Sequence, residues 1–350
     1  MPRERGEILT TITVIPGDGI GPEVTDQALR TLDALDLGLD IDMLDHVNAG
    51  TYLETGEALT DADFERVRTS DSTLLGAVGD PRVAGTDYAR DVLLRLRFDL
   101  DLYVNYRPAK LFHDRLSPLR DETRRAVDCV IVRENTEGLY AGMGGVLRKQ
   151  TPFEMTMDAE INTHHGVSRI VDFAFSIARR SVCMVDKSNA VKFGGQLWQR
   201  YWREAAGRHP RLETSHLYVD AAVMKLVEDP TRFDVIVANN SYGDILSDLM
   251  AELAGGLGTA TSANINGDTG FGLFEPVHGT APDIAGKGIA NPIGAILSAA
   301  LLIERLGHTA AAAAVRESVN SAIAQRRVTP DLGGELGTVD AGEAIRAGLR

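Results

Sequence analysis

Two aspartates, Asp244 and Asp248, stand four residues apart in Gly243-Asp244-Ile245-Leu246-Ser247-Asp248. The run reads as helix, so both carboxylates project from one face about one turn apart. Like charges held that close repel unless a cation sits between them. A third acid, Asp220, lies in Tyr218-Val219-Asp220-Ala221-Ala222. Three carboxylates are hard oxygen ligands, the set that suits Mg²⁺ or Mn²⁺ rather than zinc. Taken alone, an acid pair at this spacing is more often a solvated helix face. The neighbouring motifs decide between the two readings.

Arginines make the second pattern. Arg97 in Leu93-Leu94-Arg95-Leu96-Arg97, Arg107 in Asn105-Tyr106-Arg107-Pro108 and Arg133 in Val132-Arg133-Glu134 each stand beside apolar residues at the end of an element. An unpaired guanidinium is costly there, and its planar fork matches a carboxylate. One such arginine reads as a structural ion pair. Three in an acidic protein point to a dicarboxylate site. Lys187, in Val185-Asp186-Lys187-Ser188-Asn189, ends a strand. Beside a divalent cation its pKa would fall and it would act as a base; without that company it is a loop lysine.

Two glycine-rich stretches remain. Pro16-Gly17-Asp18-Gly19-Ile20-Gly21-Pro22-Glu23 follows a strand and opens a helix, with Pro22 suited to the first turn and Glu23 to the positive helix end. It reads either as a ligand-facing loop or as a tight turn. The glycine spacing is not G-x-G-x-x-G, so it is no Rossmann fingerprint. The second stretch, Phe274–Gly288, contains His278-Gly279-Thr280-Ala281-Pro282-Asp283-Ile284. Its small residues let backbone amides approach a phosphate. His278 alone reads equally as a loop histidine or a nucleotide contact.

These motifs need a scaffold. The 350 residues, 44% hydrophobic and 25% charged, suffice for one large domain or two ordinary ones. Short apolar runs at Ile8–Ile15, Ser72–Val78, Val127–Val132, Ser181–Val185 and Phe233–Ala238 read as strands. Helical patterns fill Glu23–Leu35, Asp61–Thr69, His165–Arg179, Gln196–Gly207, Ile293–Leu306 and Thr309–Gln325, the last with Thr309 as N-cap. The alternation is that of an α/β protein. Gly142–Phe153 lacks helical periodicity and reads as an exposed hairpin or arm. No Pro/Ser-rich linker marks a single boundary, which leaves room for a discontinuous domain.

The net charge of −14 argues against general binding to nucleic acid or to an anionic membrane surface. Cys129 and Cys183, the two cysteines, lie in apolar runs and read as reduced core thiols. The N-terminal Met1-Pro2-Arg3-Glu4-Arg5 leads into no secretory apolar region, and no stretch approaches the roughly 18 apolar residues of a membrane span. A soluble cytoplasmic protein is expected.

Together the motifs resemble the β-decarboxylating dehydrogenases, the isocitrate/isopropylmalate dehydrogenase family. The resemblance runs from Gly17 to about Gly337 and rests on Gly17–Glu23, Gly243–Asp248 and Glu275–Gly288 in that order. Within the family the chain is most similar to the isopropylmalate branch, through Gly76-Ala77-Val78-Gly79-Asp80-Pro81 and Leu93–Phe98. The resemblance implies an isopropylmalate dehydrogenase-like two-domain α/β fold, not a Rossmann fold, with a discontinuous first domain. Residues 1–102 and 257–350 would bind NAD. Residues 103–256 would carry the substrate, metal and dimer contacts, with an arm at about 141–160 and a cleft between the domains. It also implies roles. Arg97, Arg107 and Arg133 would hold the carboxylates of a malate-type substrate. Asp220, Asp244 and Asp248 would bind Mg²⁺ or Mn²⁺, Lys187 would take the proton of the 2-hydroxyl, and Tyr140 would protonate carbon 3. In a homodimer, Lys187 and Asp220 would reach into the partner's site.

His278, Gly279, Ala281, Asp283, Ile284 and Asn291 would contact the cofactor. NADP enzymes of this family resemble Lys-Tyr where this chain has Asp283-Ile284. An Asp accepts from a ribose hydroxyl and repels a 2′-phosphate, so NAD is expected. Isocitrate enzymes carry Ser and Asn where this chain has Asp91 and Leu93, and homoisocitrate enzymes resemble an Arg at the place of Leu94. Leu93 and Leu94 therefore imply an apolar pocket for an alkyl group and a 3-substituted (R)-malate, foremost 3-isopropylmalate. Tartrate/D-malate enzymes share Leu-Leu and form the alternative, together with a specialised-pathway paralogue. Ala89 in place of an acid and Tyr106 in place of Leu depart from the isopropylmalate pattern. A non-catalytic regulatory subunit would lack a metal aspartate or the lysine; this chain keeps them all.

Overall fold

The computed structural model describes residues 10–349. Ile8 and Leu9 of the first expected strand, and the N-terminal run, lie outside the described residues. In chain order the elements are β1 (Thr10–Gly17), α1 (Gly21–Ala34), β2 (Leu39–Met43), α2 (Ala49–Thr55), α3 (Asp61–Thr69), β3 (Ser72–Ala77), α4 (Tyr88–Asp99) and β4 (Val104–Lys110). They continue with β5 (Asp128–Glu134), β6 (Gly144–Leu147), β7 (Met155–Asp158), α5 (His164–Ile177), β8 (Ser181–Asp186), α6 (Lys192–Arg208), β9 (Glu213–Tyr218) and α7 (Val219–Glu228). The chain closes with β10 (Val235–Ala238), α8 (Asn240–Leu253), β11 (Thr261–Ile265), β12 (Gly272–Pro276), α9 (Ile293–Arg305), α10 (Thr309–Ala324) and α11 (Thr338–Ala347).

The chain divides into two units, one running to Leu96 and resuming at Phe271, the other Arg97–Gly270. The expected boundaries were 102/103 and 256/257. The second shifts for a visible reason: β11 pairs antiparallel with β4, Ala263 opposite Tyr106, and so joins the middle unit.

In the first unit β2, β1, β3 and β12 pair in that order, all parallel. β3 is buried along its whole length, as expected for a parallel strand covered on both faces. Helix α9, Ile-Gly-Ala-Ile-Leu-Ser-Ala-Ala-Leu-Leu-Ile-Glu-Arg, is apolar nearly all round and is correspondingly sunk in the core. Thr309 does not cap α10; His308 stands at that position and makes no side-chain cap bond, so Thr309 is simply the first helical residue.

The turn between β1 and α1 closes by backbone contact. A Cβ at Gly17 would overlap the Ala77 carbonyl, one at Gly19 the Thr280 carbonyl, and one at Gly76 the Pro16 carbonyl. Gly17 and Gly19 also sit at φ +72° and +59°, the left-handed region that glycine favours. Asp18, 6% exposed, accepts from Ala49 N at 2.7 Å, Gly79 N at 2.8 Å and the Tyr88 hydroxyl at 2.8 Å. Of the two readings of Pro16–Glu23, the tight turn is what these contacts describe.

In the second unit the strand order is β11-β4-β5-β10-β8-β9, antiparallel up to β5 and parallel from β5 onward. Ile131, Ile236, Val185, Leu246 and Met250 form its core with Cys129 and Cys183, both of which are free and buried. Each fully buried aliphatic side chain contributes about 1.5–3 kcal/mol. The arm is a two-stranded hairpin, β6 with β7, with every strand residue exposed. Among the described residues no helix is long and apolar enough to cross a membrane.

Candidate active site

In the second unit, the ends of β4 and β5 and the first turns of α8 converge. β4 and β5 pair antiparallel with Asn105 opposite Arg133, so the two share a face. Arg107 lies two residues from Asn105 on that same face, and its Nε donates to Asn105 Oδ1 at 2.8 Å. Tyr106 therefore points to the opposite face, and its departure from the family pattern does not alter the arginine side of the strand.

Arg133, 3% exposed, is the centre of the cluster. Its Nε and Nη2 donate to Asn240 Oδ1 at 2.9 and 2.7 Å, and its Nη1 donates to Asp244. Burial lowers its pKa to about 10, against the raising effect of Asp244, and the positive charges of Arg97 and Arg107 lower it further. Arg97 and Arg107, the other two arginines expected from sequence, thus each sit within electrostatic reach of Arg133. Arg107 Nη1 is 3.7 Å from Asp248 Oδ1.

Asp244 and Asp248 occupy one side of α8, one turn apart. Asp248 has a raised pKa, chiefly through burial, with Asp244 adding to the rise and Arg107 opposing it. Tyr140 follows in the turn Leu139–Ala141. Its hydroxyl donates to Asp244 Oδ2 at 2.7 Å, and the Arg133 guanidinium lies 5.1 Å from its ring centroid. The hydrogen bond to Asp244 is the largest cause of the raised pKa of the phenol.

Lys187 and Asp220 make a separate pair. Lys187 follows β8 and donates to Asp220 in the first turn of α7; that bond is the main reason the Asp220 carboxyl is held below its ordinary value. The Lys187 ammonium is 5.8 Å from the Tyr218 ring centroid. Asp186 anchors the loop from below: it accepts from Ser188 N at 3.1 Å and Gln199 Nε2 at 2.8 Å, and bonds His216 Nε2 at 2.8 Å. Among the described residues no three His, Cys, Asp or Glu side chains gather as a metal cage within this single chain. Asp220 stands with Lys187 instead, on a different helix from Asp244 and Asp248.

Leu93 and Leu94 lie half-buried on α4, one turn before Arg97, beside the buried stripe Tyr88, Val92 and Leu96. In the first unit, His278 bonds through Nδ1 to the Gly279 carbonyl at 3.0 Å, while its Nε2 is buried without a partner. Burial lowers the His278 pKa. Ala281 holds φ +39° and its carbonyl accepts from Ile284 N at 3.0 Å, which leaves Asp283 exposed at the tip of the turn. Nothing crowds Gly279. Asn291 is already engaged: its Nδ2 donates to Asp331 at 2.8 Å and its Oδ1 accepts from Ile293 N at 3.0 Å. It shapes the entry to α9 with both ends of its amide.

Asn240 and Asn105, which orient Arg133 and Arg107, went unread in the sequence, as did Asp186, His216 and Tyr218 around Lys187. For Asn240 a signal existed, since it precedes Asp244 by four residues and so shares its helix face.

Comparison with known proteins places these features in context. The family described as isocitrate/isopropylmalate dehydrogenase matches residues 11–345. The 3-isopropylmalate dehydrogenase of Thermobifida fusca is 45% identical over 342 residues, covering 95% of this chain and 96% of its own. That of Leifsonia xyli is 48% identical over 326 residues, covering 90% and 91%. A crystal structure of isocitrate dehydrogenase from Methylococcus capsulatus matches with a TM-score of 0.88 at 38% identity, covering 98% of this chain and 100% of that one. A β-decarboxylating dehydrogenase from Thermococcus kodakarensis matches at 0.81 and 38% identity, covering 97% and 96%.

Proposed function

The chain belongs to the isocitrate/isopropylmalate dehydrogenase family, and on that premise we propose that it oxidises and decarboxylates 3-isopropylmalate with NAD⁺ in leucine biosynthesis. The observation that carries the reading is the gathering of Arg97, Arg107 and Arg133 beside Asp244, Asp248 and Tyr140.

Arg97, Arg107 and Arg133 bind and orient the two carboxylates. Lys187 of the partner subunit takes the proton of the 2-hydroxyl as hydride leaves carbon 2. Loss of CO₂ from carbon 3 leaves an electron pair there, and the Tyr140 hydroxyl delivers a proton to it. NAD⁺, when bound, accepts the hydride; the orphaned Nε2 of His278, the open backbone at Gly279 and the exposed carboxylate of Asp283 fit it. The all-carboxylate donor set of Asp244 and Asp248 fits Mg²⁺ or Mn²⁺, with Asp220 of the partner subunit completing it. When bound, the metal supplies Lewis acidity toward the substrate oxygens.

A homodimer with shared sites follows from that assignment. Exposed apolar residues on the hairpin and on α7 and α8, among them Val146, Leu147, Phe153, Met157, Met224 and Ile245, support it. The enzyme would act in the cytoplasm, without nucleic-acid or membrane partners.

Leu93 and Leu94 set the substrate. An isopropyl group gains about 0.8 kcal/mol for each of its three buried carbons over hydrogen, roughly sixtyfold in specificity overall. Steady-state kinetics with NAD⁺ and Mn²⁺ on 3-isopropylmalate, D-malate, tartrate and isocitrate test this. The first is expected to lead, and Leu93→Ala with Leu94→Ala to erase most of its advantage over D-malate. Equal kcat/KM for D-malate or tartrate transfers the assignment to the tartrate/D-malate reading.

A further inference from the structure

Arg133 is held by a neutral partner. Asn240 is fully buried at the start of α8, and its Oδ1 accepts both Nε and Nη2 of the guanidinium. Its Nδ2 donates to the Glu137 carbonyl at 3.0 Å, so the amide is oriented from both ends and presents oxygen, not nitrogen, to the arginine. Gly243 closes the remaining side: a Cβ there would come within 2.6 and 2.7 Å of Arg133 Cβ and Cγ. The side chain is therefore clamped along its length, and Nη1 alone faces the acids of the site.

The chemical identity of residue 240 then matters more than its shape. A carboxylate of the same size would take the same two hydrogen bonds. It would also neutralise the guanidinium and set a negative charge against the Glu137 carbonyl. Asp244 is already shared between Arg133 and Tyr140, and Asp248 lies beside Arg107. A further acid would leave little positive charge for an incoming anion. We infer that Asn240 is a positioning residue: it fixes the guanidinium of Arg133 through a neutral acceptor and so keeps its charge for a substrate carboxylate. The inference rests on the reading of Arg133 as a substrate arginine.

Kinetics of Asn240→Asp and Asn240→Ser, with Arg133→Ala as reference, test it on 3-isopropylmalate with NAD⁺ and Mn²⁺. Asn240→Asp is expected to raise the substrate KM by about tenfold or more, with the NAD⁺ KM within about twofold and kcat within about threefold. Asn240→Ser keeps a neutral acceptor but only one bond, and its substrate KM should rise by roughly threefold. A merely structural asparagine would move both KM values and the thermal midpoint together. An unchanged substrate KM in Asn240→Asp, or parallel rises in both KM values, overturns the inference. Should Asn240→Asp not fold, Asn240→Ser decides by the same split between the two KM values. If Arg133→Ala leaves the substrate KM unchanged, the substrate-arginine reading itself falls; if it raises that KM while Asn240→Asp does not, only the role of Asn240 is lost.

Discussion

Tyr140 donates its hydroxyl to Asp244 at 2.7 Å, although the two stand 104 residues apart in the chain. The other oxygen of Asp244 receives Arg133. One carboxylate thus fixes both the acid proposed to protonate carbon 3 and a cation proposed to hold the substrate. Tyr140→Phe keeps the ring beside Arg133 and removes only the hydroxyl. Turnover is expected to fall by about a hundredfold with the substrate KM little changed. A kcat within about threefold of the parent excludes Tyr140 as the acid.

Asp244 and Asp248 are proposed to hold the divalent cation. Chelation with EDTA should abolish activity, and Mn²⁺ should restore it. Mn²⁺ at saturating concentration should also raise the thermal midpoint, since a ligand at about a hundred times its Kd adds roughly 2.7 kcal/mol. Asp244→Asn is expected to lose about a hundredfold in kcat and most of that thermal shift while remaining folded. Full activity in EDTA would remove the metal assignment.

Asp283 is exposed at the tip of its turn, and its carboxylate is proposed to accept from the ribose hydroxyl of the cofactor. NAD⁺ is expected to be preferred over NADP⁺ by about a hundredfold in kcat/KM. Asp283→Lys combined with Ile284→Tyr should move the preference toward NADP⁺. Equal use of both coenzymes by the parent enzyme contradicts the assignment.

Asp234 carries no chemistry but closes the loop between α5 and β8. Its side chain, 1% exposed, accepts from the backbone of Arg179 at 2.7 Å, Arg180 at 2.6 Å and Ser181 at 3.3 Å, and from Arg179 Nε at 3.1 Å. Burial pushes its pKa up, but these donors outweigh burial and the net shift is downward. A carboxyl depressed in the folded state stabilises above its unfolded value and loses that contribution as pH falls through its folded value. Asp234→Asn should therefore destabilise by about 2–4 kcal/mol at neutral pH. The gap in thermal midpoint between parent and variant should narrow below about pH 4, near the unfolded carboxyl value. A gap that stays constant into acid would show that charge plays no part.

Long apolar or strongly periodic segments were legible in the sequence. Asp61–Thr69 is a helix with the expected bounds, and β5 and β8 lie within two residues of theirs. β9 and β4 escaped notice because neither shows the pattern that marks a strand. Glu-Thr-Ser-His-Leu-Tyr is an exposed strand at the end of the order with little apolar alternation, and Asn-Tyr-Arg-Pro breaks β4 with charge and proline. Tyr106 stood out in the sequence as a departure from the isopropylmalate pattern, and its register places it on the opposite face of the sheet from Arg107. The supporting residues were hidden for a different reason. Asn240 and His216 meet partners 107 and 30 residues away in sequence; the spacing of Asn240 to Asp244 marks its helix face, but nothing in the letters says that the group it meets there is Arg133.

The glycines at positions 17, 19 and 76 are spacers of zero thickness. Their carbonyl neighbours belong to the ends of β1 and β3 and to the loop after β12, and none of the contacts that forbid a side chain there involves a group proposed to react. The Gly-Asp-Gly-Ile-Gly motif, so diagnostic of ancestry, is thus a requirement of assembly. A descendant that had lost every turnover would still need it in order to fold. Its presence in a related sequence certifies the architecture and says nothing of whether that sequence is a working enzyme; that question turns on the residues proposed to react, Lys187, Tyr140 and the aspartates of α8.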